Sequence, residues 1–157
     1  MAVIKEHPNL VAFLDMLAVS EGTVRYGDQD GYNVLFGGET FSSYADHPRR
    51  KITKTMKGKP ITSTAAGRYQ FLERTWDAIV KAYGFKGRFI PEAQDLAAIK
   101  LIKERRAYED VVAGRFDEAV MKCRNIWASL PGAGYGQPEH RLETLVAAYK
   151  LAGGKFA

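Results

Sequence analysis

A chain of 157 residues, 46% hydrophobic and 26% charged, is the size at which one buried core closes, which argues against a multidomain assembly. Its longest apolar stretches, residues 10–19 among them, are interrupted by Asp15 and fall short of the ~20 residues that cross a bilayer, so stable membrane insertion is not expected. The 23 Lys and Arg against 18 Asp and Glu leave a charge of +5, which favours an anionic partner without choosing among nucleic acid, membrane surface and cell-wall polymer.

The chain opens MAVIKEHPN, with Glu6, His7 and Pro8 where a secretory signal would place an unbroken apolar run; synthesis in a cytoplasm without export by its own signal is expected. Leu10, Phe13, Leu14, Leu17 and Ala18 then follow the i, i+3, i+4, i+7 spacing of an amphipathic helix that starts near Pro8 and Asn9. Glu21 lies seven residues beyond Leu14 and four beyond Leu17, on the same stripe, and Gly22 is placed to end the helix. From residue 22 to residue 63 the helical period disappears, and glycines, hydroxyl residues and aromatics (Tyr26, Tyr32, Phe36, Phe41, Tyr44) take over. Residues 32–36 are the best strand candidate, with residues 51–55 as a possible partner in a small antiparallel sheet. Arg49, Arg50, Lys51, Lys54, Lys57 and Lys59 make the 47–59 stretch basic and poor in apolar residues, which reads as a mobile flap.

A second helix is expected after Thr64-Ala65-Ala66-Gly67, carried by Tyr69, Leu72, Trp76, Ile79, Val80 and Tyr83 and stopped by Gly84, with Arg68 and Gln70 in its first turn. A third opens at Pro91 and runs to about Arg106. Shorter helices are expected over 108–112 and, capped by Asp117, over 118–127. SLPGAGYGQ, residues 129–137, is too rich in Gly and Pro for helix or central strand and reads as a surface loop. Pro138 starts a last helix that buries Leu142, Leu145, Val146 and Tyr149. The sum is a single α+β domain, mostly helical, with a small antiparallel sheet inserted after the first helix.

Few residue patterns carry chemistry. His7, His47 and His140 have no metal-ligand spacing, and neither a metal nor a cofactor is expected. Cys123, the only cysteine, cannot form an internal disulfide and sits in an amphipathic segment, where such a residue is usually inert core. GAGYG at 132–136 follows a helix rather than a strand and so lacks the setting of a nucleotide fingerprint. Glu21 is the sharper case. A carboxyl held against Phe13, Leu14 and Leu17 at a helix C-terminus loses hydration and meets the negative end of the dipole, and both effects raise its pKa and make it a proton donor. A glutamate turned into solvent at a frayed helix end fits the same spacing, and periodicity leaves both open.

FLDMLAVSEG at 13–22, GGETFSSYADHP at 37–48, STAAGRYQFL at 63–72 and NIWASLPGAGYGQPEH at 125–140 together resemble the endolysin family of bacteriophage lambda, lytic transglycosylases with a lysozyme-like fold. The resemblance spans roughly residues 10–154 in the same order. It implies that Glu21, the glutamate of the S-E-G motif, is the catalytic acid, and that Gln70 and Arg68 in the AGRYQ turn bind the substrate, Gln70 by contacting the sugar. Tyr135 and Gln137 match the family's upper lip over the cleft, the basic 49–60 stretch its lower lip, and Tyr44 is among the aromatics available to stack on substrate. The turn over 23–32 looks about two residues shorter than in the lambda protein, and the lower lip differs, so no contact is carried over from either.

The activity so implied is cleavage of the β-1,4 bond between N-acetylmuramic acid and N-acetylglucosamine in peptidoglycan strands, leaving a 1,6-anhydro end. The alternative is a hydrolytic muramidase on the same fold, with Asp28, Asp46 or above all Asp30 as second carboxylate. Family context implies a product that gathers in the host bacterial cytoplasm and reaches the wall when a separate holin-type membrane protein opens the inner membrane. Because basic residues are mostly interleaved with acids, a nucleic-acid partner is not expected, and with no exposed apolar stripe a monomer is.

Overall fold

The computed structural model describes residues 1–133 and 140–157. Among them run six α-helices, α1 (Pro8–Glu21), α2 (Glu73–Tyr83), α3 (Pro91–Glu104), α4 (Tyr108–Ala113), α5 (Phe116–Cys123) and α6 (Leu142–Leu151), and two strands, β1 (Ile52–Met56) and β2 (Lys59–Ser63). Short 3-10 turns occupy Thr23–Arg25 and Phe85–Gly87. The chain divides into two compact units, Met1–Glu21 with Asp95–Ala157, and Gly22–Gln94.

In the first unit α1 differs from the one-sided helix its spacing suggests. Leu10 to Leu14, Met16, Leu17 and Ala18 are all buried, the pattern of a helix enclosed on every side. Both α6 and α4 pack on it, Phe13 meets the Phe116 ring edge-on at 6.0 Å, and the Tyr149 ring lies 4.8 Å from that of Phe116. Asn9 ties the start of α1 to the C-terminal segment, donating from Nδ2 to the Val112 carbonyl at 3.0 Å and accepting from the Lys155 N–H at 3.0 Å. Buried Asp95 caps the N-terminal segment by accepting the N–H groups of Val3 and Ile4 at 2.9 and 3.0 Å. Cys123, at the end of α5, is 0% exposed, and burial pushes its thiol up to about 12. The helix expected over 118–127 is shifted: α5 starts at Phe116 without a side-chain cap and ends at Cys123, so Asp117 lies inside its first turn. Pro138, expected to open the last helix, lies outside the described residues, and α6 begins at Leu142 after Arg141.

The second unit corrects the expected sheet. β1 does fall on residues predicted to be a strand, but its partner is β2, in antiparallel register with Thr53 opposite Thr62 and Thr55 opposite Pro60. The two-residue turn Lys57-Gly58, with φ of 50° and 76°, closes a tight hairpin of the kind that matches strand twist. The basic stretch is therefore a hairpin, exposing Thr53 and Thr55 while Ile52, Lys54 and Met56 are half-buried. Residues 32–36 are buried throughout and make only isolated bridges, Val34 to Thr40 and Leu35 to Ala66.

Phe71, Trp76 and Phe89 form an aromatic core, with Trp76 and Phe89 edge to face at 4.7 Å. His47 is buried against it. Its Nδ1 accepts the Arg49 N–H at 3.0 Å, so the proton sits on Nε2, which donates to the Phe71 carbonyl at 2.7 Å. Burial, the largest cause, lowers its pKa from the ordinary 6.5. The unfolded chain then takes up a proton on falling through 6.5 while the folded chain does not, so stability is lost as pH drops below that value. His47→Gln keeps a side-chain donor but does not titrate; in urea unfolding from about pH 7.5 to about pH 5 the variant is expected to gain stability relative to the parent as pH falls. Parallel profiles would contradict this.

Candidate active site

Glu21 is the last residue of α1, and Gly22 follows it in the left-handed conformation, φ 76°, that ends the helix. The carboxyl is half-buried. Ser129, which follows α5 by six residues, donates from Oγ to Glu21 Oε2, and Ser129 Oγ lies 2.7 Å from Ser20 Oγ. Burial raises the carboxyl from its ordinary 4.5 to about 7, and the Ser129 hydrogen bond opposes that rise. Of the two readings open to its sequence position, the solvent-turned glutamate is the one the geometry discards. A carboxyl at about 7 is near half-protonated at neutral pH, so it can give a proton and take one back without leaving its place.

The other expected site residues on described positions lie in the second unit. Arg68 and Gln70 are not in the first turn of a helix: α2 starts at Glu73, and the preceding residues form a tight loop pinned by the Ala66–Phe71 backbone pair. Gly67 sits at φ 82°, where an added Cβ would fall 2.4 Å from Gln94 Oε1, and Gln70 is left-handed at φ 52°. Arg68, expected at the substrate, is instead turned inward and 1% exposed. Its Nε donates to the Asp30 carbonyl and its Nη1 to the Tyr69 hydroxyl, both at 2.9 Å, and the guanidinium lies 5.4 and 5.5 Å from the Tyr32 and Tyr69 ring centres. It braces the loop. Gln70 is half-buried; its Nε2 donates to the Gly67 and Val34 carbonyls at 2.9 and 3.1 Å. That pairing fixes the amide so that Oε1 is the atom left to accept from a ligand.

Tyr44 is half-buried, donates to Gln29 Oε1, and rests edge-on against Phe41 at 5.7 Å. Tyr135 and Gln137 lie outside the described residues. Asp28, Asp30 and Asp46 are exposed. Asp46 is engaged by the Arg49 guanidinium at 2.9 Å, and Arg49 also reaches Glu73 and Asp77. Ser20 and Ser129 were not singled out by sequence: Ser20 adjoins Glu21, but nothing in the chain signals that a serine 108 residues away would meet it. Among the described residues no cluster of three His, Cys, Asp or Glu could hold a metal ion, and no helix is long and apolar enough to cross a membrane.

Comparison with known proteins identifies the family. The Endolysin family model matches residues 11–156. The chain is 51% identical over 146 residues to the endolysin of Escherichia phage lambda, covering 91% of this chain and 90% of that one. It is 48% identical over 163 residues to the endolysin of Escherichia phage P2, covering 98% of each. A solved structure of bacteriophage lambda lysozyme complexed with a chitohexasaccharide superimposes with a TM-score of 0.91 at 46% identity, over 99% of this chain and 100% of that one. A second lambda lysozyme structure matches with a TM-score of 0.87 at 45% identity and the same coverage. With its lysozyme fold, and with a family match that takes in all but its first ten residues and its last, the chain belongs to the endolysin family.

Proposed function

We propose that this endolysin acts on the bacterial wall in phage lysis as a lytic transglycosylase, with Glu21 serving first as acid and then as base. The observation that carries the proposal is the placement of the Glu21 carboxyl, half-buried at the end of α1 with Ser129 donating to it, where burial pushes its pKa up to about 7. Hydrolytic glycosidases divide the work between two carboxyl groups about 5 to 9.5 Å apart. Here burial alone raises the pKa, against the Ser129 bond; among the described residues no second carboxylate adds to the rise by charge repulsion, which supports a one-carboxylate reaction.

Glu21 protonates the bridging oxygen as the bond from C1 of N-acetylmuramic acid breaks, releasing the N-acetylglucosamine 4-hydroxyl. The 6-hydroxyl of the same muramic acid then attacks C1, and the Glu21 carboxylate takes the hydroxyl proton. The proton count closes, Glu21 is restored, and no water is consumed. A pKa near the working pH suits both half-reactions, and each proton transfer contributes about 10² to 10⁴-fold. Gln70 Oε1, held as an acceptor, suits an amide N–H or hydroxyl of the glycan, and Tyr44 offers a ring face to a sugar. The net charge of +5 draws the protein to the stem-peptide carboxylates with salt-sensitive affinity. A monomer made in the host cytoplasm and released by a holin-type membrane protein completes the reading.

Product chemistry tests it. Digestion of purified peptidoglycan is expected to yield muropeptides whose anhydro ends resist borohydride reduction, and Asp30→Asn is expected to keep most of the activity. Reducible ends, with activity lost in Asp30→Asn, would establish the hydrolase instead.

A further inference from the structure

We infer that Ser129, itself oriented by Ser20, is a positioning residue that dedicates one oxygen of Glu21 to proton transfer. The inference rests on the reading of Glu21 as the acid. Ser129 Oγ has one hydrogen, and its bond to Glu21 Oε2 uses it. The 2.7 Å contact between the two serine hydroxyls must then be made by the Ser20 hydrogen, since a hydroxyl donates once and accepts twice. The result is a one-way chain, Ser20 Oγ to Ser129 Oγ to Glu21 Oε2. With Oε2 occupied as an acceptor, the proton of the neutral acid rides on Oε1 and leaves from there.

The chain is anchored at both ends. Ser20 is buried in the last turn of α1. Ser129 stands between buried Trp127 and Leu130, whose backbones are bonded to each other at 3.1 Å, and its own carbonyl accepts the His140 N–H at 2.9 Å. Neither hydroxyl has to be ordered when substrate binds. The same bond stabilises the carboxylate that exists between proton delivery and proton recovery, and charge-assisted hydrogen bonds are the strong ones.

Nearby charges do not compete for this role. The elements packed on α1 carry Glu109 and Asp110 on α4, and Glu143 and Lys150 on α6. Asp110 is bound by Arg115 and Lys122, and none of the four enters the ionisation of Glu21, which burial and the Ser129 bond set.

The test is the pH profile of peptidoglycan cleavage by Ser129→Ala, Ser129→Thr and Ser20→Ala, read beside their melting temperatures. Removing the Ser129 donor should move the alkaline limb of kcat/KM upward by about one pH unit, a tenfold change in the ionisation constant, and lower kcat. Ser129→Thr, which keeps the hydroxyl, should hold the limb at the parent position, and Ser20→Ala should move it upward by less. A limb unmoved in both alanine variants overturns the inference, even where activity or melting temperature falls. Should Ser129→Ala not fold, Ser20→Ala decides alone: an upward shift supports the chain and none refutes it. Failure of the underlying reading is separate, because it would appear as cleavage retained by Glu21→Gln.

Discussion

Glu21→Gln is expected to lower the rate of wall cleavage by at least about 10² to 10⁴-fold, the contribution of one general acid-base group, and to leave the fold in place. The amide is nearly the same shape as the carboxyl, and it can still accept from Ser129, so the pair at the end of α1 is kept. What it lacks is a proton to give at neutral pH. Stability should move the opposite way. The folded-state pKa of Glu21 is raised from 4.5 to about 7, so between those values the folded chain holds a proton that the unfolded chain has released. Unfolding is therefore favoured progressively as pH rises from 4.5 to 7 and the penalty levels off above 7. Glu21→Gln removes the penalty, and chemical denaturation should show it gaining on the parent across that window. Lysis assays with purified walls check the first half; retained cleavage would remove Glu21 from the chemistry. A stability difference that does not change with pH would remove the buried-carboxyl account.

Arg68→Leu should cost about 3 kcal/mol or more, the range seen when a buried polar network loses a member. The arginine belongs to the Gly22–Gln94 unit with its guanidinium near the Tyr32 and Tyr69 rings, and it holds the Asp30 carbonyl and the Tyr69 hydroxyl. Leucine fills much of the stem volume but takes the arginine donors away from those two oxygens. Lysine should not rescue, because its single point charge cannot reproduce the planar fork that serves both acceptors while stacking on the rings. Urea unfolding measures the loss, and a change under about 1 kcal/mol would mean the loop does not lean on this side chain.

The helices were the legible part of the fold. Spacing at 3.6 residues, Pro91 and Gly84 place α2 and α3 to within a few residues at most boundaries, because those signals are local. Glu21 at the end of α1 was legible for the same reason. Errors arose where local signals gave way to distant ones. The hairpin was hidden because its turn, Lys57-Gly58, lies inside a run of lysines that reads as solvated loop. The first turn of α2 was placed too early because Tyr69 keeps helical spacing while Gly67 and Gln70 adopt positive φ, a demand set by Phe89 and Gln94 closing on Gly67. Arg68 looked like a ligand-facing cation because sequence carries no sign of the two tyrosines near it. Ser129 was unreadable for the same reason: its bond to Glu21 exists only once the chain has folded.

Cys123 has a practical consequence. Only the thiolate attacks alkylating and disulfide reagents, and this thiol is enclosed in the Met1–Glu21, Asp95–Ala157 unit with its pKa pushed up to about 12. Labelling must then await opening of that unit, so the modification rate is a clock on its breathing. Timed in an Arg68→Leu background, whose lesion sits in the other unit, the same clock reports whether damage to one half loosens the other.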